Sequence, residues 1–313
     1  MKIVGVSLGT RNGMNDSICK EALQAAKLEG AEVSFIHLLD WNLEHCTGCV
    51  ACSKGLLMGA GNICTRRDEF DDFREKLLDA DGVLFVDPIF GKGATGLFHT
   101  LMDRFGPRSD RGINFIADQK AEAGQGKPID KRLLKDKVVS FIGIGGSDWT
   151  TSSEYEHGML AVGFAWKVID NEVFPWSKTI FMDDEKVERV KEIGRNLARA
   201  AADYDNAKYL GDGVCPHCHC KNFYVEAHSK KVICCHCGIE GTFEIGDEIK
   251  FVFDESWIAH AHDTMSGKAI HAQDIGKNEA ESAECRKSEK WKASQERLKS
   301  YAIEEILPPS KRT

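Results

Sequence analysis

The chain has 313 residues, 42% apolar and 29% charged, and a formal net charge of −8. That length holds one large domain with an appendage. The acidic balance argues against non-specific binding to nucleic acid or anionic membranes, which needs clustered Lys and Arg. MKIVGVSLGT leads directly into a buried-strand pattern with no basic leader, and no apolar run approaches the ~20 residues that span a bilayer, so a cytoplasmic protein is expected. In a reducing compartment, twelve cysteines point to metal or catalysis before disulfides.

Taken in order, IVGVSL (3–8) predicts a strand, residues 15–29 a helix, and EVSFIHL (32–38) a second strand. A helix over 68–79, with Phe70, Phe73 and Leu77 on one face, precedes GVLFVD (82–87). Helices over 95–105 and 152–162 flank KVVSFIGI (137–144), and a weaker strand over 166–173 precedes a long helix over 184–204. Near-continuous apolar strands separated by helices predict an α/β fold, a doubly wound parallel five-stranded sheet within residues 1–210. Residues 106–136 read as an insertion-like loop, 211–253 as a small cysteine-rich β module, and 254–313 as a polar extension, helical over about 279–305. Cys19 reads as a small core residue, and His260, His262 and His271 as exposed tail histidines.

The first strand runs through SLGTRNGMNDS (7–17) into a helix. A loop rich in Ser, Thr, Gly and Asn at a helix N-terminus offers amides, hydroxyls and a positive dipole end to a phosphate; the plainer reading is a turn that caps the helix. DPIFGKGATG (87–96) and GIGGSDW (143–149) follow the third and fourth strands. Ligands of open α/β sheets lie outside the carboxyl ends of the strands, so three such loops suggest a cradle for a mononucleotide such as FMN. Thr10 and Gly93 are candidate contacts within it.

These loops, the cysteine stretch 46–64 with DEF (68–70), LLDADGVLFVDPIF (77–90) and MDR (102–104) carry a resemblance covering roughly residues 1–205. The chain resembles the flavodoxin-like NADPH-dependent FMN reductase superfamily, in particular its iron–sulfur flavoprotein branch. The resemblance implies that Ser7, Gly9, Arg11, Asn15 and Ser17 hold the FMN phosphate. It likewise implies that Pro88, Ile89, Phe90 and Gly91, with Gly145, Gly146 and Ser147, line the isoalloxazine. It further implies a homodimer or tetramer and a ferredoxin-type donor where a cluster is present. Phe90 stands where the family usually has Tyr, His99 where Lys is common, and Asp16 where a hydroxyl is common. An anionic Asp16 would repel a phosphate, so it is expected to turn away and cap the helix.

Cys46, Cys49 and Cys52 form Cys-x-x-Cys-x-x-Cys, and Cys64 follows after eleven residues. Three thiolates at that interval can bind three corners of a [4Fe–4S] cubane, with a fourth cysteine closing it. The resembled branch usually has a shorter final gap, but closing about eleven residues rather than about five costs only ~0.7 kcal/mol. A disulfide, a second zinc site and metal-free thiols are the other readings. CPHC (215–218) and CCHCG (234–238) form two further Cys-x-x-Cys pairs. Cys215, Cys218, Cys234 and Cys237 therefore predict a zinc ribbon, with rubredoxin-type iron as the rival. Residues 213–250 carry four Lys against five Asp or Glu, so nucleic-acid binding is not expected.

These readings combine into a flavin-dependent oxidoreductase. It passes electrons between FMN and a [4Fe–4S] cluster, with NAD(P)H or a ferredoxin as donor and a small molecule as acceptor. No residue stands out as a catalytic acid or base. The alternatives are a cluster-free NAD(P)H-dependent flavin or quinone reductase, and a non-catalytic ribbon adaptor that binds protein or RNA.

Overall fold

The computed structural model describes residues 1–299. The last part of the helix expected over 279–305 lies outside the described residues. In chain order the elements begin with β1 (Lys2–Ser7), α1 (Met14–Leu28) and β2 (Glu32–His37). Next come α2 (Ala51–Leu57), α3 (Phe70–Asp79), β3 (Gly82–Pro88), α4 (Gly96–Ser109) and α5 (Arg111–Glu122). After them follow β4 (Val138–Ile144), α6 (Ser153–Phe164), β5 (Lys167–Phe174) and α7 (Asp184–Ala202). All four strand pairings are parallel, in the order β2-β1-β3-β4-β5. This is a doubly wound, flavodoxin-like sheet with its switch point between β1 and β3.

Alternation along each strand explains why the strands read as unbroken apolar runs. Val4, Val6, Val83, Phe85, Val139 and Phe141 enter the core under α3, α4 and α6. Ile3, Leu84, Val86, Val138 and Ile142 enter the opposite core under α1 and α7, where Cys19 is fully buried. With both faces covered, no position along a strand needs a polar residue. Residues 106–136 are not the loop expected: α5 occupies much of them, with Ile113 and Ala117 buried, and Gly106 kinks the end of α4 ahead of it.

Strands β6 (Phe223–Val225), β7 (Val232–Cys234), β8 (Glu240–Ile245) and β9 (Ile249–Phe253) form a separate antiparallel sheet. Its small core gathers Cys215, Cys234, Cys237, Ile239 and Phe251, and also takes in Ala261 and Trp257. Helices α8 (Met265–Lys287) and α9 (Glu289–Lys299) follow, and the chain divides into two units between Ile270 and His271. Among the described residues, no helix is long and apolar enough to cross a membrane.

Candidate active site and metal centres

The β1–α1 loop begins at buried Leu8 and Gly9 and brings Thr10, Arg11 and Asn12 to the surface. Asn15 packs over Gly9 so tightly that a Cβ there would strike its side chain. The Asn15 Nδ2 is buried and has no hydrogen-bond partner. An orphaned donor is costly, so its presence beside a helix N-terminus fits an anionic ligand. The N-cap is Gly13, which supplies no side-chain oxygen of its own.

Asp16 turns inward, as the repulsion argument requires, but it does not cap α1, whose N-cap Gly13 takes no side-chain hydrogen bond. It accepts the Ser7 hydroxyl at 2.6 Å, the Asn12 amide at 2.7 Å and the His37 ring at 2.9 Å. Burial alone would raise its pKa, yet these three donors hold the carboxyl below its usual value. Ser7 is therefore fully buried and committed to Asp16, and the Ser17 hydroxyl donates to the Gly13 carbonyl at 3.0 Å. Arg11 is exposed and pairs with Asp40. Of the residues expected at a phosphate, Ser7 and Ser17 are committed to other partners, which leaves Gly9, Arg11 and Asn15.

Three further loops end at the same edge of the sheet. After β3, Pro88 and Ile89 are half-buried, and Phe90 and buried Gly93 pair in a tight antiparallel bridge with Gly91 and Lys92 at the tip. Both tip residues are left-handed, with φ of 57° and 75°, and a Cβ on Gly91 would meet open space. Such strain in a non-glycine residue concentrates at working loops. Asp87, fully buried, accepts the Thr95 amide (2.9 Å) and hydroxyl (2.6 Å), and so anchors the base of this hairpin. The loop after β4 carries Gly145, Gly146, Ser147 and Trp149. Its Ser152 amide donates to the Lys92 carbonyl at 2.9 Å, and Lys92 Nζ lies 5.2 Å from the Trp149 ring centre. The loop after β5 carries Trp176 at a left-handed φ of 56°, fastened where the Ser177 hydroxyl donates to Gly145 at 2.9 Å. Phe90, Trp149 and Trp176, one on each of these loops, are 71%, 63% and 62% exposed, an aromatic rim at this edge of the sheet.

At this edge the structure also pairs His99 Nε2 with Glu156 Oε2 at 3.2 Å, and Glu156 accepts the Ala94 amide at 2.6 Å. These residues lie 57 positions apart, and no local motif joins them; only the approach of α6 to α4 does so. Lys178, whose chain passes over Gly146, is another side chain at this edge that sequence reasoning did not single out.

Cys46, Cys49, Cys52 and Cys64 line one small recess, shared with Arg66, Arg104 and Arg108. Backbone amides of Gly48 and Arg66 lie 3.4 Å from the sulfurs of Cys46 and Cys64. Guanidinium charge and amide hydrogen bonds to sulfur are what a thiolate-bound cluster requires. The Thr65 hydroxyl beside Cys49 brings its thiol down to about 7, whereas burial raises Cys52. Val50, a β-branched residue, sits at a left-handed φ of 51° between these two cysteines, so the loop is held in a shape its own residues disfavour. The four cysteines share one recess and fit a cubane in donor chemistry, whereas among the described residues only the second cysteine group brings its sulfurs within 4.8 Å of one another. The recess packs on α4, where Arg104 donates to the Glu44 carbonyl and pairs with Asp68. Thr95, at the base of the hairpin, and Arg104, at the recess, are nine residues or ~13 Å apart along that helix.

The second cysteine group is more compact. The sulfurs of Cys215, Cys218, Cys234 and Cys237 all lie within 4.8 Å of one another, with Cys215–Cys237 at 3.8 Å and Cys218–Cys234 at 3.4 Å. A tetrahedral ion with bonds of ~2.3 Å to sulfur sets an edge of ~3.8 Å, so these thiols fit zinc or a rubredoxin-type iron. Cys220 and Cys235 stand outside the group.

Comparison with known proteins agrees with this geometry. The model of the NADPH-dependent FMN reductase family matches residues 1–178. A solved flavone reductase is 48% identical, with a TM-score of 0.88, covering 98% of this chain and 100% of that one. The flavone synthase cfoJ of Aspergillus candidus is 25% identical over 88% of both chains. The iron–sulfur flavoprotein MJ1083 of Methanocaldococcus jannaschii is 33% identical over 63% of this chain and 96% of its own. The family match covers the sheet and all three rim loops: the chain belongs to the NADPH-dependent FMN reductases and is an FMN-dependent oxidoreductase.

Proposed function

We propose that the protein reduces the conjugated carbon–carbon double bond of a planar aromatic enone of the flavone class, with NAD(P)H or a ferredoxin-type protein as electron donor. The observation that carries this reading is the rim of Phe90, Trp149 and Trp176, three exposed rings on neighbouring loops at one edge of the sheet. Stacking against a flat aromatic gives such rings a use that solvent does not. Support comes from two long-range relatives whose names share flavone as reactant or product.

Bound FMN would supply hydride and single-electron chemistry. Asn15 Nδ2 and the N-terminus of α1 would bind its phosphate, while the Phe90–Gly93 hairpin and Gly145–Ser147 would hold the ring. Trp149 and Trp176 would orient the acceptor and exclude water. His99, held by Glu156, would retain at Nε2 the proton that saturating a double bond requires alongside a hydride. The recess of Cys46, Cys49, Cys52 and Cys64 favours a [4Fe–4S] cluster that accepts electrons singly, and the ribbon thiols favour zinc. The protein would act in the cytoplasm as a homodimer or tetramer.

The test is product analysis after incubating FMN-loaded protein anaerobically with a donor and a flavone. The expected product gains two hydrogens, and Trp149→Ala or Trp176→Ala raises KM more than it lowers kcat. Reduction of quinones with no flavone consumed would move the assignment to a general quinone reductase.

A further inference from the structure

The ribbon is joined to the rim by a continuous path of hydrogen bonds. The Asn222 side chain donates from Nδ2 to the Thr151 carbonyl at 3.1 Å, and Lys221 pairs with Glu154 at 2.9 Å. Both contacts land on the loop after β4 and the first turn of α6. From there Ser152 and Ser153 donate to the Lys92 carbonyl at 2.9 and 3.2 Å, and Lys92 lies over Trp149. At the ribbon end, Asn222 is set between the two cysteine knuckles. Its carbonyl accepts the Cys235 amide at 3.1 Å, and its own amide approaches the Cys220 sulfur at 3.3 Å, while the Cys220 carbonyl accepts the amide of Cys215 at 3.1 Å. A second contact lies beside it: Gly158 of α6 faces His236, and a Cβ there would come 3.0 Å from His236 Nε2. The position of Asn222 is thus set by the residues that flank the metal thiols.

We propose that the metal-loaded ribbon braces the flavin rim, with Asn222 and Lys221 as positioning residues, so that metal occupancy of the ribbon governs how firmly the rim holds its flavin and acceptor. Without a metal, four clustered thiols do not fix the two knuckles against each other, since binding free energy at such a site is folding free energy. Asn222 then loses its register, and the loop after β4 and the hairpin it clamps loosen together. The loop at 8–17 is fastened through Asp16 and His37 instead, so it stays unchanged. The coupling of ribbon to rim stands on its own geometry; its effect on flavin rests on the rim being the isoalloxazine site.

Hydrogen–deuterium exchange on the full-length protein, with and without FMN, tests this alongside FMN release followed by fluorescence. Removing the ribbon metal with a zinc chelator, with release quantified, is expected to accelerate exchange at 89–94 and 147–153 roughly three- to ten-fold, the effect of one to two lost hydrogen bonds. FMN release accelerates with it, and in the FMN-free protein exchange at 8–17 is unchanged. The double variant Asn222→Asp with Lys221→Ala keeps its metal and reproduces the loosening, whereas Lys231→Ala, which breaks only the Lys231–Glu240 pair within the ribbon, does not. Metal release with rim exchange unaltered, or a metal-bound double variant with wild-type exchange, would overturn the proposal. If exchange follows the metal but FMN does not protect 88–95 and 145–150, the brace stands and the flavin placement falls.

Discussion

Replacing Asp68 by Asn should unfasten the cysteine recess. The side chains of Asp68 and Arg104 are each 2% exposed, and Arg104 reaches Asp68 Oδ1 at 2.8 Å while also donating to the Glu44 carbonyl. Asp68 in return accepts the Glu44 amide at 2.7 Å. Burial opposes the charged form of Asp68, but Arg104 and the Glu44 amide overcome it and lower the carboxyl to about 2 from 3.8. A lowering of that size is worth on the order of 2 kcal/mol. Because the folded pKa is the lower one, that stability is present at neutral pH and is lost as pH falls from about 4 through about 2. Asp68→Asn removes it at every pH and leaves Arg104 buried without a counter-charge, for which the usual cost is about 3–5 kcal/mol. Asn still accepts one hydrogen bond, so the lower end is expected, a fall of ~5 °C in Tm. Thermal melting of wild type and variant between pH 7 and pH 3 checks it, with the gap narrowing at the acid end. A variant that melts within a degree of wild type at pH 7, or a gap independent of pH, would refute the reasoning.

Asn15→Leu should weaken FMN roughly ten-fold or more while leaving riboflavin affinity unchanged, since only the phosphate uses that amide; equal losses in a fluorescence titration would remove the phosphate from this loop. Gly91→Val forces a β-branched residue to a φ of 57° at the hairpin tip, costing ~1–2 kcal/mol in backbone strain and intruding on the proposed flavin space. The purified variant should retain little FMN, and full flavin content would count against the placement. Cys64→Ser should strip iron from anaerobically prepared protein while zinc content is unchanged. Iron retained at the wild-type level would show that the recess holds no cluster.

How much was legible in the sequence depended on whether the determinant was periodic or tertiary. The five core strands appear as apolar runs because both sheet faces are buried, and their observed ends fall within a residue of expectation. Helix α5 was hidden because Gly106, Pro107 and Gly112 interrupt its region, although Ile113 and Ala117 then keep helical spacing. Helix α2 was hidden for a different reason: it starts from the left-handed Val50, a conformation no propensity anticipates. The ribbon thiols were readable because a four-thiolate site needs two short, rigid knuckles. Asp16 was read as a charge to be turned away, but its partner His37 lies 21 positions on, at the end of β2, and only folding brings it near. The pairs His99–Glu156 and Arg104–Asp68 follow the same rule, each joining residues that only folding brings together.

Rapid mixing of photoreduced, FMN-loaded protein with a flavone under anaerobic conditions interrogates the rim most directly. The flavin band should return in a single saturable phase, matched by loss of the flavone's conjugated absorbance and slowed when Phe90 or Trp149 is replaced by Ala. Flavin that stays reduced at every flavone concentration, yet reoxidises at once on adding a quinone, would contradict it.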